Sequence, residues 1–255
     1  MKKQTGEVSI LSIDIGGSNV KATILNKQGQ LTMEYDKIET PMPSTPKNMM
    51  EAIKKLVKKF PNFDNISVGF PGFVKNGVVM TAPNLGNKAW EKFDLQDALS
   101  KEFGKPARVV NDADMAGLGV VNGKGLEMVI TLGTGFGTAL LQDGVLLPHL
   151  EISHHPIAKG QGYDDYIGDR ALDDIGEKKW NKRMKKVFEV LKTVFNYDSL
   201  YIGGGNARKL TFKLDSNMKL VTNEEGIKGG ARLWNGDHIQ GINAVIDSDK
   251  KVVKK

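Results

Sequence analysis

Cysteine is absent from this 255-residue chain, which excludes disulfides, thiolate metal sites and cysteine nucleophiles together. Histidine is scarce: there are 4, of which only His149, His154 and His155 cluster, a poor basis for a zinc site. Aromatic residues make up 7%, and no run of about 18 apolar residues occurs, so nothing reads as a membrane span. The N-terminus, MKKQTGEVSILSID, has two lysines but no apolar run before a small-residue cleavage site, and so does not read as a signal peptide. A cytoplasmic, soluble protein without a membrane partner is the expectation.

What is present is ordinary globular composition, 40% hydrophobic and 26% charged, long enough for two lobes with real cores. The formal net charge of +6 favours an anionic partner such as a phosphorylated ligand. No helix-turn-helix or RNA-binding signature accompanies it, so nucleic acid is not expected. The densest basic stretch, GEKKWNKRMKKVFEVLKTVF (176–195), sets Trp180, Met184, Val187, Val190, Leu191 and Val194 at helical spacing with lysines opposite. It reads as a solvated helix rather than a polyanion track.

Along the chain, VSILSIDIGG and NVKATILN read as strands about a glycine turn, and LTMEYDKI follows the NKQGQL turn. Residues 46–60 read as a helix after proline-rich punctuation, and NISVGFPGF as a strand entering a Gly-Pro-Gly-type turn. A helix around DLQDALSKEFG precedes the strand ARVV, and LEMVITLGTGFGTALLQDGVLL gives a strand, a glycine turn, a strand and an Asp-Gly hairpin. A polar loop with histidines, the basic helix, the strand SLYIGGG and a last helix near EEGIKGGARLW complete the order. Residues 236–255 read as a small hairpin or a basic tail.

Two strand–glycine turn–strand units, IDIGGSNVKATIL and ITLGTGFGTALL, each begin one half of the chain. Glycines let the backbone approach a ligand closely, so such turns suit phosphate binding through backbone N–H groups, although many are only turns. Neither unit has P-loop spacing, and no G-x-G-x-x-G opens a helix after a strand, so P-loop and Rossmann readings fall away. In ARVVNDADMAGLG, Asn111 and Asp112 stand where a buried strand hands over to a helix. Capping is the ordinary explanation, and a functional one is compatible with it at neighbouring positions.

Six blocks occur in order: IDIGGSNVKATIL (13–25), VGFPGFV (68–74), VVNDADMAGLG (109–119), ITLGTGFGTALL (130–141), HLEISHH (149–155) and YIGGGNARK (201–209). Together, over roughly residues 8–235, the chain resembles the ROK sugar-kinase family in its polyphosphate/ATP glucokinase branch. The resemblance implies an α/β fold of the actin/hexokinase/Hsp70 (ribonuclease H-like) type, with two lobes and a cleft. On that reading residues 1–110 form the N-terminal lobe, 111–235 the C-terminal lobe, and 236–255 an extension of unknown structure. It also implies transfer of a phosphoryl group from ATP or polyphosphate to a hexose, usually at the 6-hydroxyl, with Mg2+. Homodimers are common in the family.

By the same resemblance Asp14 faces metal and phosphates, and Gly16, Gly17, Ser18 and Asn19 wrap the phosphates with Lys21 as a nearby cation. Gly133, Thr134, Gly135 and Gly137 match the second phosphate hairpin; Gly203, Gly204, Gly205 and Asn206 match the segment beside base and ribose. Asp112 matches the catalytic base, which must sit within hydrogen-bond reach of the attacking hydroxyl. Gly72, Asn84, Asn111, Glu151 and His154 match sugar contacts. Asp164 or Asp165 in GYDDYIG stands where the family usually has a sugar-binding Glu; a helix N-terminal acid is the ordinary alternative.

The chain departs from many family members in lacking the cysteine-rich zinc motif after Glu-x-x-His, as polyphosphate glucokinases also do, and in carrying Ser153 for the usual Gly. A sugar-responsive regulator is the alternative class, since the family includes repressors. Those carry a winged-helix segment, for which the roughly seven residues before the first strand leave no room. A kinase for mannose, fructose or an N-acetylated hexosamine is the other alternative; its chemistry would be the same and only the pocket would differ.

Overall fold

The structure, a computed structural model, describes residues 8–235, so the expected C-terminal extension lies outside the described residues. The chain opens with β1 (Ser9–Ile15) and β2 (Asn19–Asn26), then β3 (Asp36–Glu39) and the helix α1 (Pro46–Val57). Helix α1 starts where Thr45 accepts a hydrogen bond from Asn48 N and Pro46 presets the first turn. Its buried face is Met49, Ile53 and Leu56, the spacing of a helix packed on one side. Next comes β4 (Asn65–Phe70), then a small sheet of β5 (Val74–Lys75), β6 (Val78–Val79) and β7 (Phe93–Asp94), with the short α2 (Asn87–Trp90) between the last two. Helix α3 (Leu95–Phe103) is capped by Asp94 and ended by Gly104 at φ 61°, and β8 (Ala107–Asn111) follows.

These strands build a five-stranded sheet in the order β3-β2-β1-β4-β8. The hairpin β1–β2 and the edge β3 run antiparallel, whereas β4 and β8 run parallel to β1. One face packs against α1 and α3 through a core that includes Ile13, Val20, Ile53, Leu56, Val68 and Leu99.

Helix α4 (Asp112–Val120) leaves β8 directly. The second half then repeats the plan with β9 (Leu126–Leu132), β10 (Phe136–Gln142), β11 (Val145–Leu146), β14 (Ser199–Gly203) and β15 (Met218–Leu220). Their order is β11-β10-β9-β14-β15, with β9–β10 antiparallel and β14 parallel to β9, as β4 is to β1. Between β11 and β14 lie a 3-10 turn (Ile152–His154), the pair β12 (Pro156–Ala158) and β13 (Gln161–Gly162), α5 (Tyr163–Ile167) and α6 (Asp169–Phe195).

The basic helix is longer than the spacing suggests: it begins at Asp169 and breaks at Gly176, φ 74°. Trp180, Met184, Val187 and Leu191 bury its apolar side against the second sheet. The expected last helix is instead two short ones, α7 (Asn223–Ile227) and α8 (Gly229–Arg232). Glycines at 226, 229 and 230 let them crowd α4 and the first sheet, where Ser12 Oγ donates to Ile227 O and Ser67 Oγ to Gly230 O.

Helix α4 is wedged between the sheets, and glycine makes the room on both sides. A Cβ on Gly69 of β4 would stand 3.2 Å from Asp112 Cα, and one on Gly137 of β10 would stand 3.1 Å from Ala113 Cβ. Among the described residues no helix is long and apolar enough to cross a membrane.

Candidate active site

Asn111 ends β8, and its side chain is committed to holding the chain's path. Its Oδ1 accepts from Ala113 N at 2.8 Å and Asp114 N at 3.3 Å, the cap of α4, while its Nδ2 donates to Gly72 O at 3.1 Å. The capping reading of this dipeptide is therefore realised by Asn111, which leaves Asp112 free for other work. Among the described residues Asp112 Oδ1 takes a bond only from its neighbour Ala113 N, at 2.8 Å. Its carboxyl is pushed up to about 7, first by burial and then by the charge of Asp14, with Ala113 N and His149 opposing.

Asp112 lies on the wall of a cavity of about 710 Å3 between the two sheets. Asp14 and Lys21 reach it from the first sheet, Thr131 and Gly204 from the second, and Met115, Val129, Val221 and Ile227 make an apolar stretch. Burial also raises Asp14, with Lys21, its cross-strand partner, pulling the other way. Of the phosphate- and nucleotide-binding residues expected from the sequence, Asp14, Lys21, Gly203 and Gly204 line this cavity.

The others form its supports. Gly16 N donates to Asn19 O at 2.9 Å, and Thr40 clasps the first turn by donating from its N to Ser18 O and from its Oγ1 to Gly16 O. A Cβ on Gly17 would stand 4.0 Å from Asn84 Cβ, which puts exposed Asn84 beside this turn. The second turn, Gly133–Thr134–Gly135, is laced from α5 and α6. Asp164 Oδ1 accepts from Phe136 N at 2.6 Å, and Asp169 N donates to Gly133 O at 3.0 Å. Gly205 is exposed, whereas Asn206 is buried: its N donates to Leu132 O at 3.0 Å and its Nδ2 to Asp169 Oδ1 at 2.5 Å. The turn after β14 is thereby fastened to the second hairpin.

Sequence reasoning missed a cluster beside the base. Asp114 and Glu151 flank His149, at 2.9 Å from Nδ1 and 3.4 Å from Nε2 respectively, and Phe73 of the F-P-G-F turn stacks on the imidazole at 5.9 Å. Burial works against a charged imidazole here, but pairing with the two carboxylates lifts it to about 10. His149 in turn holds the Glu151 carboxyl below the usual range against burial, helped by Ser153, whose Oγ donates to Glu151 Oε2 at 3.2 Å. Ser153 thus orients Glu151. His154 is exposed at the end of the same 3-10 turn. Asp164 is raised chiefly by burial, with Phe136 N and His154 lowering it.

Two sheets of one plan, each opening on a glycine-turned hairpin, with a carboxylate-bearing helix between them, define the actin/hexokinase-like fold. The ROK family model matches residues 10–150. Polyphosphate glucokinase from Mycobacterium tuberculosis (strain ATCC 25618 / H37Rv) is 33% identical over 211 residues, covering 77% of this chain and 77% of that protein. The crystal structure of an inorganic polyphosphate/ATP-glucomannokinase from Arthrobacter sp. strain KM shares 31% identity at a TM-score of 0.79, covering 89% of this chain and 98% of that one. A ROK family glucokinase from Streptomyces griseus, in complex with glucose and AMPPNP, shares the fold at 20% identity and a TM-score of 0.71, over 89% and 99% of the two chains. The chain belongs to the ROK family.

Proposed function

We propose that this chain is a sugar kinase that moves the terminal phosphoryl group of polyphosphate or ATP to the 6-hydroxyl of glucose, with Asp112 as general base. The observation that carries the reading is Asp112 itself. It is a carboxylate fixed at the start of α4, on a cavity wall beside Asp14 and Lys21, with a pKa of about 7 that suits proton acceptance at neutral pH. In the step, the 6-hydroxyl oxygen bonds to phosphorus and its proton passes to the Asp112 carboxylate. The bond from that phosphorus to the bridging oxygen breaks, releasing ADP or a polyphosphate one unit shorter. Positioning and charge neutralisation do most of the work in such a transfer.

Asp14 fits a magnesium ligand by the chemistry of its surroundings. Two carboxylates, Asp14 and Asp112, meet on one wall, and the charge of Asp14 raises Asp112. Among the described residues no three His, Asp or Glu side chains are placed to hold a metal ion by themselves. Magnesium commonly takes one or two carboxylates and fills its remaining positions with water and substrate phosphates, so this donor set suits it. The ion would neutralise phosphate charge when bound.

On the same reading Lys21 and the two glycine turns hold the donor, and the 203–206 turn borders its nucleoside end. The sugar is met by Glu151, ionised and oriented through His149 and Ser153, together with His154, Asn84, Gly72 and Asn111 at the turns nearby. Asp164, tied to the hairpin through Oδ1, offers Oδ2 to a hydroxyl. The test is a coupled assay for glucose 6-phosphate, with ATP and with polyphosphate, on wild type and Asp112→Asn. A loss of at least about a hundredfold in the variant is expected; a folded wild type inert with both donors overturns the reading.

A further inference from the structure

The register of the first sheet sets four positions in one line, three of them charged. Gly69 of β4 pairs with Asp14 of β1, Asp14 with Lys21 of β2, and Lys21 with Lys37 of β3. Residues paired across strands share a face, and Asp14, Lys21 and Lys37 all line the interlobe cavity. Where Gly69 has no side chain, Asp112 sits over the row instead. Read across the sheet, the line runs carboxylate, carboxylate, ammonium, ammonium. With strands about 4.8 Å apart, Lys37 stands roughly 10 Å from Asp14.

Among the described residues neither lysine forms a close ion pair, Lys21 only facing Asp14 across the strands. The neighbouring Asp36 is taken by Lys59, at 2.8 Å. The same cavity is lined by Glu224, which is exposed on α7 and whose charge is felt at Tyr35, and by the apolar Val221 and Ile227. An anionic chain entering this cavity is therefore drawn to the β2–β3 wall and away from α7.

We propose that Lys37, continuing the row of Lys21, holds the part of a polyphosphate donor that lies beyond the phosphates undergoing transfer, and so determines preference for polyphosphate over ATP. The inference rests on the sugar-kinase reading above. Both donors present the same phosphates to Asp112, Asp14 and Lys21. In ATP the charge then ends and a neutral ribose follows, which gains nothing from an ammonium at Lys37 and is accommodated by the apolar wall. A long polyphosphate still carries a negative charge at every unit there.

Initial rates with ATP, tripolyphosphate and long-chain polyphosphate test this on wild type, Lys37→Met, Lys37→Arg and Lys47→Met, the last an exposed lysine on α1 that controls for net charge. In Lys37→Met the KM for long polyphosphate is expected to rise about tenfold, with kcat and the ATP KM held within about twofold, and Lys37→Arg to restore it. Tripolyphosphate, too short to reach past Lys21, follows ATP. An equal rise for ATP and long polyphosphate, no rise at all, no rescue by arginine, or the same rise in Lys47→Met overturns the inference while leaving the kinase reading intact. A wild type that turns over no polyphosphate overturns the donor reading and this inference with it.

Discussion

His149 Nδ1 sits 2.9 Å from Asp114 Oδ2, with both side chains almost wholly enclosed, at 6% and 5% exposure. The pair joins the first turn of α4 to the segment that carries Glu151. Removing one partner of a buried ion pair strands the other charge, so Asp114→Asn is expected to lower stability by about 3 kcal/mol. The folded-state pKa of His149, about 10, lies above its unfolded value. Its contribution is therefore complete below about pH 6.5 and is lost as pH climbs through about 10. Urea-unfolding midpoints should fall between pH 7 and 10 in wild type and fall less steeply in Asp114→Asn; equal slopes would count against the pairing.

Asp112 gives a second pH signature. With its carboxyl near 7, kcat/KM is expected to rise with pH through that region as the base ionises. The charge of Asp14 is the second cause of the shift, after burial, so Asp14→Asn should move the rising limb to lower pH while also lowering kcat. A limb that stays in place would show that burial alone sets the base.

Gly69 is expected to tolerate no side chain without activity suffering. Its Cβ would come within 2.8 Å of Met115 Cε, which can swing away, and within 3.2 Å of Asp112 Cα, which cannot. Gly69→Ala should cost about 1–3 kcal/mol of stability, as overpacking does. It should lower kcat more than that loss explains, because it lifts the base off the row. Parallel urea melts and turnover measurements separate the two effects.

Asn206 fastens the turn after β14 to Asp169 and to Leu132. Asn206→Ala leaves a half-buried carboxylate oxygen without its donor, at a cost of about 1–3 kcal/mol. The KM for ATP is expected to rise more than the KM for polyphosphate, since this turn borders the apolar side of the cavity. Equal changes in the two would place the turn outside nucleoside recognition.

Much of this was legible in the sequence because it is local. The glycine turns, the N-D dipeptide and the Asp94 and Gly104 ends of α3 declare themselves within a few residues. What stayed hidden depends on register and on distance along the chain. Nothing near His149 announces Asp114, and the histidine was legible only as a member of a cluster too poor for zinc. Lys37 reads as one more lysine until β2–β3 pairing places it opposite Lys21. The two short helices at 223–232 escaped because their glycines, which weaken helix propensity, are there to let backbones touch.

The return of those two helices to the first sheet has a consequence for synthesis. Ser12 Oγ bonds Ile227 O across 215 residues, and Ser67 Oγ bonds Gly230 O across 163 while accepting from Trp234 Nε1 at 2.8 Å. While the chain is still emerging from the ribosome, the strands made first must wait with buried hydroxyls and an uncovered apolar face until residues past 230 appear. Contacts of such long range slow folding and prolong exposure to chaperones and aggregation. A nascent chain halted short of Ile227 is thus an unfinished sheet, however complete its first hundred residues are.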